Sequence, residues 1–237
     1  MALDHALAEA LSPGEGVIRF YRWSPHTVSF GRNEPSRGRY DLAVAAEEGL
    51  AFVRRPTGGR AVLHAHEVTY CAALPLGALG GLKATYVRIN EGLVAGLRTL
   101  DAEVALSADG VALAPDAGPC FQVPAPGEVI GDGRKLVGSA QVRLGGSILQ
   151  HGSVILRGDQ SALARLTGGS EDPIPPATLE ELTGPVGWDA VAGALSHGLK
   201  LALGGSWRQG GYESRETDAA SRLETDRYAT EAWTWRR

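Results

Sequence analysis

Leu3, Leu7 and Leu11 recur every four residues in MALDHALAEAL, the spacing of one helical face, and SPGEG predicts its end. GVIRFYRW and HTVSFGR predict two short strands around Ser24-Pro25. Asp41 is placed to cap a helix over DLAVAAEEG, which Gly49 closes. LAFVRR, RAVLH and EVTYCAAL predict three more strands. Helical spacing returns in TYVRINEGLVAGLRTL, where Val87, Leu93, Val94, Leu97 and Leu100 form an apolar face. AEVALS predicts a strand, and residues 107–127, rich in Ala, Gly, Pro and Asp, a long loop. EVIGDGRKLVGSAQVRLGGSILQHGSVIL predicts three strands, with tight turns at Asp132-Gly133 and Gly145-Gly146. WDAVAGALSHGLKLAL predicts a helix, and YESRETDAASRLETDRYATEAWTWRR a charged, mostly helical end with aromatic residues. Antiparallel strands interleaved with helices predict an α+β fold. No repeat or Ser/Gly linker divides the chain, which predicts one domain over 1–237. Its core would run from about 14 to 203, with a charged extension at 204–237 and no accessory domain.

Composition narrows the function classes. Hydrophobic residues make up 43% and charged residues 21%, enough for a sizeable core in a soluble protein. The net charge of −4 speaks against an unaided nucleic-acid binder. No run approaches the ~20 apolar residues of a membrane span, and the N-terminus lacks the features of a signal peptide. A cytoplasmic protein without nucleic-acid or membrane partners is expected. Two cysteines make no disulfide framework. Cys71, in an apolar strand, reads as buried and inert.

Three stretches carry candidate chemistry. In RRPTGGRAVLH, Gly58 and Gly59 permit positive φ and close approach to a ligand. Arg54, Arg55 and Arg60 around them suit a phosphate or carboxylate, although a plain turn with surface arginines fits the same residues. His64 and His66 are spaced to share one strand face, but a metal site needs three or four converging ligands, so no metal is expected. Cys120 heads a Pro-rich loop, and Lys135 follows the Asp132-Gly133 turn. Folded together, they would make a thiolate stabilised by an ammonium; an apolar Cys and an unrelated Lys is the plainer alternative.

RRPTGGRAVLH, the PCF run, GRKLVGSAQ and ILQHGSVIL occur in an order and spacing that resembles the lipoate–protein ligase, biotin ligase and octanoyltransferase superfamily. Within it the chain is most similar to the cysteine-dependent octanoyltransferases of lipoate assembly. The resemblance implies a mixed, largely antiparallel sheet with flanking helices. It implies an acyltransferase that moves an octanoyl group from acyl carrier protein, through a Cys120 thioester, to a lysine of a lipoyl domain or glycine-cleavage H protein. Lys135 would hold the thiolate and polarise the carbonyl, and no cofactor is implied. Arg54 to His64 would wall the acyl tunnel. Ser139, Gln141 and Gln150 would orient the acyl carbonyl or the incoming lysine, and Lys135 or His151 would take the amine proton. Gly152 lies in the same HGS motif. Arg32, Arg37 and Arg39 are candidate docking groups for acidic partners. The rivals are an ATP-dependent lipoate–protein ligase, an amidotransferase that uses octanoylated H protein, and a non-catalytic acyl-carrier-binding protein.

Overall fold

A computed structural model describes residues 1–108, 125–168 and 175–237. Cys120 and most of the 107–127 loop therefore lie outside the described residues.

The elements follow the hydrophobic pattern closely. α1 (Ala2–Ala10) is followed by β1 (Val17–Tyr21) and β2 (Thr27–Phe30). α2 (Leu42–Glu47) starts where Asp41 accepts the Ala43 and Val44 N–H groups, and Gly49 after it has φ +65°. β3 (Ala51–Arg54), β4 (Val62–His64) and β5 (Glu67–Pro75) precede α3 (Leu82–Arg98), which begins three residues before the expected Thr85. β6 (Val104–Leu106) follows α3.

The next segment forms four strands where three were expected: β7 (Val129–Gly131), β8 (Arg134–Lys135), β9 (Val137–Leu144) and β10 (Ser147–Ile155). Asp132 and Gly133 turn with φ +49° and +68°, as the two-residue turn requires. The chain then changes sheet at Leu136. Its N–H bonds Val129 O, and its carbonyl accepts from Ile155.

α4 (Ser161–Thr167) and α5 (Leu179–Thr183) were not expected. A capping box, Thr178 with Glu181, starts α5 and was readable as T-x-x-E. α6 (Trp188–Leu203) matches its predicted stretch. α7 (Ser214–Leu223), a π turn over Glu224–Tyr228, and α8 (Glu231–Thr234) complete the chain.

Three sheets result: β1-β5-β10-β9, β3-β2-β4 and β6-β7-β8. Among the described pairings only β2 with β3 is parallel, so the fold is mixed, largely antiparallel α+β. Alternation sorts β5 by face. Val68, Tyr70, Ala72 and Leu74 enter the main core with Ile89, Leu93 and Leu97 of α3 and Leu195 and Leu199 of α6. Cys71 and Ala73 face the other way, towards Ala8 of α1. α3 and α6 cross closely, because a Cβ on Gly198 would lie 2.2 Å from Gly92 O. The smaller β3-β2-β4 sheet has its own core around Phe30, Leu63 and Leu163, against which Phe52 and Trp235 pack. No helix among the described residues is long and apolar enough to cross a membrane.

Candidate active site

A cavity of about 40 Å³ lies between the inner faces of the two larger sheets. That is several times the ~10–15 Å³ that one water needs. Thr69, Ser139, His151 and Ser153 line it from the four-stranded sheet, and Ser29, Val62 and His64 from the three-stranded one. Strand alternation puts all but Ser139 there: Val28, Phe30 and Leu63, neighbours in sequence of the three-stranded set, turn to the opposite core. Ser139, paired with Gly152, instead turns its Oγ to Tyr70 OH at 2.7 Å on the α3 side and touches the cavity only beside that glycine.

The arginine-glycine loop closes one side. Arg55 donates through Nη1 to Ser29 O and Oγ, both at 2.8 Å, and through Nη2 to Gly58 O at 3.1 Å and Arg60 O at 2.7 Å. Its guanidinium therefore braces the loop from within. Of the glycine pair only Gly59 has positive φ, +90°; Gly58 does not use that freedom. The glycine that close approach demands is Gly31, where a Cβ would lie 1.7 Å from Gly59 O. Glu34 ties the two segments together, accepting from Gly31 N at 2.9 Å and Ala61 N at 3.0 Å. Burial raises its pKa even though Arg55 and those two N–H groups oppose the shift.

Arg54 corrects the expectation of a ligand-facing arginine. It is fully buried, and it donates to Gly31 O at 2.6 Å, Glu34 O at 2.8 Å, Ser36 Oγ at 2.6 Å and Thr234 O at 3.0 Å. Arg54 fastens the C-terminal segment to the 31–36 loop. The Arg54 position on β3 points away from the cavity because its strand partner is Phe30, on the core face of β2.

Two polar clusters face the cavity. His64 contacts Ser29 Oγ through Nε2 at 2.7 Å and Glu67 Oε1 through Nδ1 at 2.6 Å, and it stacks on Trp23 at 4.3 Å. Ser153 donates to the same Glu67 oxygen at 2.9 Å, as does Thr69, which in turn accepts from Trp23 Nε1 at 2.8 Å. His66 does not share this face: β4 ends at His64, and the exposed His66 meets His26 edge-on. No group of three metal-ligating side chains forms among the described residues. In the second cluster, His151 Nε2 bonds Thr57 Oγ1 at 2.7 Å, and Nδ1 lies 3.6 Å from Asp4 Oδ2, beyond hydrogen-bond reach. Burial lowers the His151 pKa and outweighs Asp4, which favours the charged ring. Burial alone would raise Asp4. The chain's amino group, His151 and Arg19 outweigh it and hold the carboxyl well below the usual range. Arg19 and Tyr21 bond its two oxygens at 2.5 and 2.8 Å.

Lys135 sits on β8, 3% exposed, with Nζ 2.7 Å from Glu128 Oε1. The hairpin pairs Ile130 with Lys135, which places Glu128 diagonally across on the same face. Leu136 beside it bonds Ile155, and the Ile155 side chain packs with Val62 of the cavity wall. Lys135 is thus connected to the cavity wall through Leu136, Ile155 and Val62 without lining the cavity itself.

Arg55, Gly59, His64, Ser139, His151 and Gly152, all expected site residues, line the cavity. Arg54, Gly58, Arg60, Gln141, Gln150 and Lys135 do not. Gln150 points to the α3 side of the sheet, where it donates to Tyr70 OH at 2.8 Å and Asn90 Oδ1 at 3.1 Å, and its Oε1 lies 2.7 Å from the Gln141 amide. Asp4, Thr57, Glu67 and Glu128 were missed. Only Glu128 carried a countable signal, its position relative to the Asp132-Gly133 turn.

Residues 1–184 match the lipoyl protein ligase A/B catalytic domain. The chain belongs to that family. Across its whole length it is 37% identical to a protein of Kyrpidia tusciae named octanoyltransferase LipM, covering 94% of that protein. A Symbiobacterium thermophilum protein of the same name is also 37% identical over the whole chain and is covered to 93%. Among solved structures, lipoate protein ligase Ta0514 from T. acidophilum with bound lipoic acid superposes with a TM-score of 0.83 at 23% identity, covering 99% of this chain and 92% of that one. Lipoate-protein ligase A bound with ATP gives 0.82 at 22% identity, with the same coverage. At such identity the structures speak for the fold alone.

Proposed function

We propose that this family member is an octanoyltransferase of protein lipoylation and that it works through a Cys120 thioester. The supporting observation is identity over the full chain with proteins named octanoyltransferase, in a chain that also carries Cys120 and Lys135. In the first step the Cys120 thiolate attacks the octanoyl thioester of acyl carrier protein. A new C–S bond forms and the carrier thiol leaves, an exchange of thioester for thioester that needs no ATP. Lys135, oriented by Glu128, supplies positive charge to the thiolate and to the developing oxyanion. In the second step a lysine amine of a lipoyl domain or H protein attacks the acyl-enzyme. A C–N bond forms and Cys120 leaves. The amine gives up one proton, to His151, or to Lys135 once Lys135 has given its own proton to the departing carrier thiolate. Burial favours the neutral His151 ring, the form able to accept it. Val62 and the backbone at Gly59 and Gly152 offer the acyl chain a low-polarity lining, with ~0.8 kcal/mol for each buried methylene. The setting is expected to be the cytoplasm.

Intact-protein mass spectrometry with octanoyl-acyl carrier protein, without ATP, tests this reading. The wild type should gain one octanoyl group, and Cys120→Ala or Lys135→Ala should gain none. Acceptor modification that requires ATP and free acid would make the protein a ligase. Acylation only from octanoylated H protein would make it an amidotransferase.

A further inference from the structure

The arginines form a surface that neither sequence segment reveals alone. Arg32, Arg37 and Arg39 are exposed on the 32–39 loop. Far along the chain, Arg227 and Arg236 both lie against the ring of Trp233, at 4.9 and 4.7 Å from its centroid. Hydrogen bonds stitch the two segments together. Ser36 N and Arg37 N donate to Arg237 O at 2.9 and 2.6 Å, and Arg37 Nε donates to Trp235 O at 3.1 Å. Buried Arg54 locks both from below, through Glu34 O, Ser36 Oγ and Thr234 O. Glu34, the one acidic residue of the 32–39 loop, turns inward to Gly31 N and Ala61 N and does not offset the charge outside. Arg236 registers the crowding: burial lowers its pKa, and Arg237, Arg32 and Arg227 lower it further.

A chain of net charge −4 thus brings arginines of two distant segments together, Arg32 and Arg37 with Arg227, Arg236 and Arg237, while Arg39 lies on the same turn as Arg37 through its N–H to Ser36 O. That face adjoins the cavity. Arg32 N bonds Thr57 O at 2.8 Å, and Thr57 bonds His151 inside. We propose that this arginine face docks the acidic surface of the acyl-thioester donor. The proposal rests on the octanoyltransferase reading and names the surface that reading lacks. The face holds guanidinium groups and no lysine. Planar forks chelate carboxylates, and they chelate the phosphodiester of a carrier's prosthetic arm equally well. Its position beside Thr57 lets a docked donor send its arm along the arginine-glycine loop towards the cavity.

The test compares Cys120 acylation by octanoyl-acyl carrier protein with acylation by octanoyl-pantetheine, which brings the thioester without the protein. The double variant Arg32→Glu/Arg39→Glu changes two exposed side chains. It should lower the carrier-to-pantetheine rate ratio about tenfold or more. Arg88→Glu, one such charge reversal on exposed α3, should leave the ratio at the wild-type value. Added salt should slow the wild-type reaction with the carrier and spare the reaction with pantetheine. An unchanged ratio in the double variant would overturn the proposal. So would a normal ratio with slowed transfer to the lipoyl domain, which would assign the face to the acceptor. Failure of both donors on wild type would remove the octanoyltransferase reading and this proposal with it.

Discussion

The two faces of the four-stranded sheet are built on opposite principles, although successive residues of the same strands supply them. Val68, Tyr70, Ala72 and Leu74 meet α3 and α6 in a dense apolar layer, held close by Gly92 and Gly198. Thr69, His151 and Ser153 face a cavity, where His151 meets Thr57 and Ser153 meets His64 across the gap. On the first face most of the stability comes from area removed from water, which needs no particular partner, with one polar network, Gln150 with Tyr70 OH and Asn90, set into it. On the second, each buried polar group depends on a named partner, and a few lack one: Glu67 Oε2 and His151 Nδ1 have none among the described residues. A face that keeps open space and unsatisfied groups trades packing for the ability to receive a ligand.

That contrast can be pressed by matched changes on the two sides. The largest effect should follow Leu93→Ala, which empties a fully buried position between α3 and the sheet. A loss of about 2–5 kcal/mol in denaturant unfolding is expected, with Cys120 acylation per folded molecule retained. A loss under about 1 kcal/mol would show that the α3 layer is less tightly packed than the cavity face.

The cavity face should instead show itself in pH dependence. Burial holds folded His151 below its ordinary 6.5, so the folded ring stays neutral where an unfolded one takes up a proton. Stability is therefore full above about pH 6.5 and falls as the pH drops below it, until the folded ring also protonates. Asp4 acts in a separate window. Its depressed pKa stabilises the fold above the unfolded value of 3.8, and that contribution is lost in stronger acid. His151→Gln should flatten the thermal-stability slope between about pH 7 and 5. His5 and His66, also lowered by burial, would leave a residual slope. A variant with the full wild-type slope would assign the effect to those two.

Ser153→Ala should have the smallest effect, about 1 kcal/mol, because Glu67 Oε1 keeps Thr69 and His64 when Ser153 is lost. A loss as large as that of Leu93→Ala would mean the polar cluster carries the fold as the apolar layer does.

The positions of the main helices and strands, both hairpin turns and the Asp41 cap were legible because each rests on local spacing or local φ preference. The arginine-glycine loop was legible as a special backbone, and Arg55 does line the cavity as expected, yet Arg54 does not. Nothing in RRPTGGR tells that Arg54 is held by carbonyls of residues 31, 34 and 234 while Arg55 braces the loop. Asp4 looked like an ordinary polar residue of a terminal helix, although Arg19 and Tyr21 bond its carboxylate and His151 lies 3.6 Å from it. The strand over RKLVGSAQ was read as continuous, because a change of hydrogen-bonding partner at Leu136 leaves the residue pattern untouched.

From the sequence alone came the element types, the α+β class and the chemistry of Lys135, Cys120 and the histidines as residue types, since backbone propensity and side-chain chemistry are local properties. Tertiary structure alone decided which arginines are buried, which histidines face the cavity and which distant arginines share a face. Those outcomes depend on strand register and on contacts between segments up to some 200 residues apart, as between Ser36 and Arg237. No local window of the chain encodes such separations.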